Sequence, residues 1–173
     1  MDGENKIIRN IEVLEDAFIP GSIVHREGQL KALEACLKPL LKGRNPRDSF
    51  LWGKPGTGKT CIASYLTREL GKESGVKIAY VNCWENTSRF RILFSILEAL
   101  GLSLSVHRKG TPLDEVLGRL RKELGTRRVV VILDEADQLD DEKVIYDLAN
   151  SANLCLLLIA NQETALYELD ART

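Results

Sequence analysis

The sequence predicts an α/β layered domain built around a parallel sheet, and three observations carry that expectation. Short apolar runs of strand-forming residues alternate with longer stretches of helical apolar spacing. One run, Val129-Val130-Val131-Ile132-Leu133, is continuous rather than alternating, which suits a strand covered on both faces. A glycine-rich turn at residues 53–60 follows a short apolar run and opens onto a helical pattern, the strand-loop-helix order of open α/β sheets.

The elements follow in order. Residues 1–20 read as a lead-in with Ile11, Leu14, Phe18 and Ile19 as apolar anchors, ending at Pro20-Gly21. A helix is expected from Glu27, with Leu30, Leu33, Leu37 and Leu41 on one side. Pro39 should kink or end it, because proline lacks the N–H that the helix ladder needs. Gly43-Arg44-Asn45-Pro46 is a loop, and Asp48 to Trp52 the first strand. After the glycine turn, Ile62, Ala63, Leu66 and Leu70 share a helical face, with Gly71 placed to cap the C-terminus. Val76 to Asn82 is a second strand. Thr87 to Leu100 carries Phe90, Leu93, Phe94, Leu97 and Leu100 at helical spacing, closed by Gly101. Thr111-Pro112-Leu113-Asp114 starts another helix, with Thr111 as N-cap, Pro112 at N1 and Asp114 at N3. Val116, Leu117, Leu120 and Leu124 form its apolar face and Gly125 ends it. A short helix around Glu142 to Asn150 then precedes a buried strand, Leu154 to Ala160.

Composition bounds the function. A length of 173 residues suggests one domain, and 44% hydrophobic content suffices for an ordinary core. The net charge of −1 gives no global field for nucleic acid, so any such binding needs a local patch. No apolar run approaches the roughly 20 residues of a membrane span, and the polar Met1 to Lys6 start has no signal core. A cytoplasmic protein without a membrane partner is expected. Cys36, Cys61, Cys83 and Cys155 are scattered, and His25 and His107 stand far from them, so reduced thiols are expected rather than a zinc site.

The chemistry concentrates in three places. Gly53-Lys54-Pro55-Gly56-Thr57-Gly58-Lys59-Thr60 is G-x-x-x-x-G-K-T, a phosphate-binding loop. Its glycines let backbone N–H groups turn inward on a polyphosphate, and the next helix aims its positive end there. Lys59 supplies charge for the β and γ phosphates, and the Thr60 hydroxyl is placed to ligate Mg²⁺. Pro55, Gly56, Thr57, Gly58 and Cys61 complete the expected nucleotide contacts. Asp134-Glu135 caps the second feature, the apolar strand, in the Walker B arrangement. Asp134 is expected to hold Mg²⁺ through water, and Glu135 to act as general base on the attacking water. The same carboxylates also read as the start of a solvated turn, since Asp137, Asp140 and Asp141 follow. Asn161, the third, ends the last apolar strand, where an amide could reach the γ-phosphate or the water. Asn is equally at home in a turn.

Together these residues resemble the AAA+ ATPases, with Asn161 in the place of sensor 1. Phe18-Ile19-Pro20 followed by Ile23-Val24-His25-Arg26-Glu27 resembles the N-terminal box of the archaeal Orc1/Cdc6 replication initiators. Tyr80-Val81-Asn82-Cys83, the Thr87 to Gly101 stretch, Gly110 and Leu169-Asp170-Ala171-Arg172 fit the same family. The resemblance implies a three-layer sandwich with sheet order 5-1-4-3-2. It implies ATP or ADP with Mg²⁺, and a nucleotide switch in origin binding and helicase loading. Val24, His25 and Arg26 would lie on the adenine side, so residues 1–26 divide from a core over 27–173. Arg172 would be an arginine finger acting on a neighbouring subunit, or else an ordinary surface residue. Arg89 and Arg91 sit where the family contacts origin DNA, though they also read as a solvated helix start. Origin DNA, the replicative helicase and other initiator subunits are the implied partners. The location implied is the archaeal cytoplasm, close to the nucleoid, or the nucleus of a eukaryote.

The family continues with a last strand, a helical lid carrying a second sensor arginine, and a winged helix. The expectation is that this chain stops before them. Strand 1 would then be an open edge, leaving the chain less stable and prone to self-association unless residues 1–20 protect it. Two rival functions stay open. One is another AAA+ helicase loader or transposition helper of the DnaC kind. The other is a non-catalytic module that holds nucleotide and turns over nothing.

Overall fold

The fold is seen in a computed structural model that describes residues 19–44, 46–102 and 110–163. Ile11, Leu14, Phe18, His107 and the closing stretch with Arg172 lie outside the described residues. The element order is α1 (Glu27–Leu41), β1 (Ser49–Trp52), α2 (Lys59–Ser74), β2 (Lys77–Asn82), α3 (Arg89–Ala99), α4 (Leu113–Leu124), β3 (Val129–Asp134), α5 (Lys143–Ala149) and β4 (Leu154–Ala160). A 3₁₀ turn, Ala136–Gln138, links β3 to α5.

All strand pairs are parallel, in the order β1-β4-β3-β2. This is the 1-4-3-2 part of the expected order, with β1 at an edge among the described residues. Strand periodicity splits the side chains into two cores. Val129, Val131, Leu133, Leu154, Leu156 and Leu158 face α3, α4 and α5, where Ile92, Leu93, Ile96, Leu97, Leu120 and Leu148 are fully buried. Val130, Ile132, Cys155, Leu157 and Ile159 face α1 and α2, meeting Leu33, Leu37, Leu40, Ile62, Ala63 and Leu66. Each buried Leu or Ile contributes about 1.5–3 kcal/mol relative to exposure. The three-layer sandwich that the resemblance implies is therefore present. Every residue of β3 and β4 is buried, as the continuous runs required, whereas β1 is only half-buried.

Three local expectations need correction. Gly71 does not cap α2; the helix runs on to Ser74 and ends at Gly75, whose φ of 65° is the left-handed value a C-cap needs. A Cβ on Gly71 would come 3.0 Å from Ile78 Cδ1, so that glycine serves the close approach of α2 to β2. Thr111 does not cap α4 either. Pro112 holds the cap position with extended backbone and α4 starts at Leu113, leaving Asp114 and Glu115 in the first turn at the positive end of the helix. α3 starts at Arg89 rather than Thr87, after an extended Ser88. Pro39 behaves as expected: α1 survives it by only two residues, and its carbonyl accepts from the N–H groups of Lys42 and Arg44.

All four cysteines are free. Burial pushes the Cys83 and Cys155 thiols up to about 12, so both are protonated core residues. Among the described residues no helix is long and apolar enough to cross a membrane.

Arg89 has a structural partner. Its Nη2 lies 2.6 Å from Asp147 Oδ2, and its Nε–H donates to the same oxygen at 2.7 Å. Asp147, on α5, is buried, with Arg121 of α4 at 3.8 Å from its other oxygen. The pair ties α3 to α5 beneath the sheet. Arg91 is exposed. Arg89→Ala should therefore lower stability by about 3 kcal/mol, because it strands a buried carboxylate. Arg91→Ala should stay within about 0.5 kcal/mol. Urea unfolding of both variants checks this; equal effects would remove the ion pair from its structural role.

Candidate functional site

Parallel strands bring their carboxyl ends to one side of the sheet, and the chemistry-bearing residues sit there. β1 ends at Trp52, and the chain turns through the glycine-rich loop into α2. Gly56 (φ 75°) and Gly58 (φ 84°) hold left-handed backbone, and a Cβ on either would meet nothing within 4 Å. The restriction is thus in the backbone, and the concavity the loop encloses is open. Thr57 Oγ1 donates to the Lys54 carbonyl at 2.8 Å and pins the turn.

Lys59 folds back over its own loop. Its Nζ donates to the Gly53 carbonyl at 2.7 Å, the Lys54 carbonyl at 3.3 Å and Asn161 Oδ1 at 3.1 Å. The Thr60 hydroxyl donates to Asp134 Oδ2 at 2.6 Å. The Tyr80 hydroxyl donates to the same oxygen at 2.9 Å, and the Glu135 N–H to Asp134 Oδ1 at 2.9 Å. Asp134 is 4% exposed, so these donors replace the water it has lost.

Glu135 holds φ 55° and ψ 44°, left-handed backbone that costs a non-glycine residue roughly 1–2 kcal/mol. That turn aims its carboxylate at Asn161, whose Nδ2 donates to Oε2 at 2.5 Å. The Asn161 N–H donates to Asp137 Oδ1 at 3.3 Å. Asn161 thus bridges Lys59 and Glu135, oxygen toward the cation and nitrogen toward the anion.

A cavity of about 890 Å³ opens beside the loop, bounded by Gly56, Lys59, Thr60, Ser64 and Arg68 on one wall and by Tyr80, Ile132, Glu135 and Asn161 on the other. Arg68 donates to the carbonyls of Ile19 (3.3 Å) and Pro20 (3.1 Å), which fixes the incoming chain at the rim. Burial, and next the hydrogen bond to Asp134, hold the Tyr80 phenol above the ordinary tyrosine range, so it remains a donor.

The structure gathers Lys59, Thr60, Asp134, Glu135 and Asn161 into one network. Pro55, Gly56, Gly58 and Cys61 line the cavity. Arg26 reaches the loop from outside, donating from Nη2 to the Thr57 carbonyl at 3.1 Å. Val24 and His25 stand exposed and outside the cavity lining; His25 has φ 59° and gives its N–H to Glu27 Oε1. Sequence reasoning gave Tyr80, Arg68 and Asp137 no role at the site. Tyr80 had a signal, since Ile78, Tyr80 and Asn82 alternate toward one face, but only the β2–β3 register sets that face beside Asp134.

Among the described residues no group of three or more His, Cys, Asp or Glu is arranged for a metal ion. Thr60 and Asp134 form an all-oxygen pair that suits a hard divalent cation, provided phosphate and water supply the other ligands.

A family model described as an AAA domain matches residues 44–166. The ORC1-type DNA replication protein 1 of Halobacterium salinarum is 42% identical over 168 residues, covering 96% of this chain and 54% of that protein. The solved structure of the Aeropyrum pernix ORC1 protein in complex with DNA has 32% identity and a TM-score of 0.81, covering 95% of this chain and 46% of that one. The crystal structure of Cdc6p from Pyrobaculum aerophilum, 24% identical, shares the fold with a TM-score of 0.81, over 94% of this chain and 46% of that chain. This chain spans about half the length of the curated relatives it matches. On its matched residues, its glycine loop, its carboxylate-tipped β3 and its sheet order, the chain belongs to the AAA domain family, and its sequence is similar to the ORC1-type DNA replication proteins.

Proposed function

We propose that the chain is the ATP-binding and ATP-hydrolysing core of an Orc1/Cdc6-like initiator, with nucleotide acting as a switch for origin binding and helicase loading. The observation that supports this most is the convergence of Lys59, Thr60, Glu135 and Asn161 on one cavity, with Asp134 hydrogen-bonded to Thr60 behind it. The loop N–H groups and Lys59 would take the polyphosphate, Lys59 exchanging two backbone carbonyls for phosphate oxygens. Thr60 and Asp134 would hold Mg²⁺. Mg²⁺ held by Thr60 and Asp134 would offset negative charge on the phosphates. Glu135 would accept the proton of the attacking water as its oxygen bonds to the γ phosphorus and the β–γ bridge breaks, giving ADP and phosphate. Asn161 would orient that water or the γ-phosphate. Val24, His25 and Arg26 are proposed for the adenine side, and Arg172 for a neighbouring subunit's site.

The DNA reading draws on the Aeropyrum pernix ORC1 complex. Arg91 is the exposed candidate of the two basic residues on α3, because Arg89 is engaged with Asp147. Other initiator subunits and the replicative helicase are proposed protein partners.

Lys59→Ala should abolish ATP binding in calorimetry, since it removes the charge opposite the phosphates; unchanged affinity would sink the assignment. Glu135→Gln should keep ATP affinity while single-turnover hydrolysis falls about 100-fold or more. Hydrolysis at the parental rate would leave Glu135 without its role, and tight nucleotide with no turnover in the parent would favour the non-catalytic module. With net charge −1, residues 1–173 should bind duplex DNA only weakly at physiological salt. Tight binding that resists salt in a fluorescence titration would refute that.

A further inference from the structure

Tyr80 has no part in the reading above, yet it makes one of the three donor contacts on the Asp134 carboxylate. It stands on β2 opposite Ile132 of β3, where Asn82 pairs with Asp134 at the strand ends. Its ring lies along the cavity wall with Ile78 and Ile132, and its hydroxyl reaches Asp134 Oδ2 at 2.9 Å.

The three donors differ in what they can do. Thr60 lies in the first turn of α2, directly after the glycine loop, and lines the cavity. Its hold on Asp134 is therefore tied to what the loop carries. The Glu135 N–H is covalently next to Asp134 and rides on left-handed backbone. Tyr80 alone comes from another strand, on a stiff ring with few rotatable bonds, anchored by sheet pairing on its own side. It is the donor that can fix Oδ2 independently of the loop and of Glu135. With Oδ2 held by two hydroxyls and Oδ1 by one N–H, about one of the carboxylate's roughly four lone-pair positions stays open, on Oδ1.

We propose that Tyr80 is a positioning residue that orients the Asp134 carboxylate and thereby sets the divalent-cation affinity of the nucleotide site. The proposal rests on the ATP reading. Outer partners that orient a metal-binding carboxylate typically matter by about 10–100-fold in metal affinity. Losing the Tyr80 hydroxyl lets the carboxylate swing and leaves one oxygen to be re-solvated in a nearly closed place, at 4% exposure.

The test is a titration of a fluorescent ATP analogue against Mg²⁺, with the metal-free affinity measured in EDTA. Tyr80→Phe keeps the ring and removes only the hydroxyl. The expected result is a Mg²⁺ midpoint raised about tenfold or more, with the EDTA affinity unchanged. Mn²⁺ binding in the presence of ADP, read by electron paramagnetic resonance, should weaken by the same factor. Tyr80→Met also lacks the hydroxyl and must shift the midpoint in the same direction, which keeps the test valid if one variant fails to fold. A midpoint equal to the parent's overturns the role of Tyr80 and leaves the ATP reading standing. Equal losses with and without metal also overturn it, because they mark simple packing. Parental binding that ignores Mg²⁺ overturns both.

Discussion

Everything at the site depends on parallel alignment of strands buried on both faces. Pairing Val129 with Leu154 and Ser49 with Leu157 brings the carboxyl ends of β3, β4 and β1 to one rim. Asp134, Asn161 and the glycine loop leave the sheet there, from chain positions far apart in sequence. The alignment is held by the two apolar cores, since sliding a strand by one residue would send each core's side chains to the wrong face. The strands behind the rim are fully buried at β3 and β4 and half-buried at β1, the strand that carries the loop.

The charged groups of the site are paired within the protein. Lys59 donates to backbone carbonyls and to Asn161, and Glu135 accepts from the amide of the same Asn161. An amide held between a cation and an anion is polarised by both, and each bond to a charged group contributes about 1.5–3 kcal/mol. On the proposed reading, phosphate must offer Lys59 at least as much as the loop carbonyls do. Once Lys59 turns away, Asn161 loses one side of its clamp and Glu135 becomes freer to meet water. On that reading, arrival of the phosphate and release of the base would be linked through a single side chain.

Much of this was legible in the sequence, for identifiable reasons. Continuous apolar runs such as Leu154 to Ala160 report burial on both faces directly, and that strand has the expected bounds. The glycine loop and Asp134-Glu135 are local patterns, so they survive without knowledge of the fold. Caps were read less well. Gly71 and Thr111 are residues that fit a cap equally well in two registers, and tertiary packing of α2 on Ile78 decided the first. Contacts made across strands, such as Tyr80 to Asp134, depend on register and on which side chain reaches furthest, neither of which is written in one strand's sequence.

Arg89 shows why a basic residue at the right place in a family pattern is weak grounds for a ligand contact. Coulomb attraction to a phosphate at an exposed helix start is screened by salt within about 10 Å. A buried carboxylate at hydrogen-bond distance is screened far less. Asp147 is 2.6 Å away and nearly enclosed, so the Arg89 guanidinium is already engaged within the fold. Drawing Arg89 onto DNA would uncover the charge of Asp147, with only Arg121, itself mostly exposed, left nearby. The geometry therefore gives the two arginines different surroundings. Arg89 holds α3 against α5, and Arg91 is exposed.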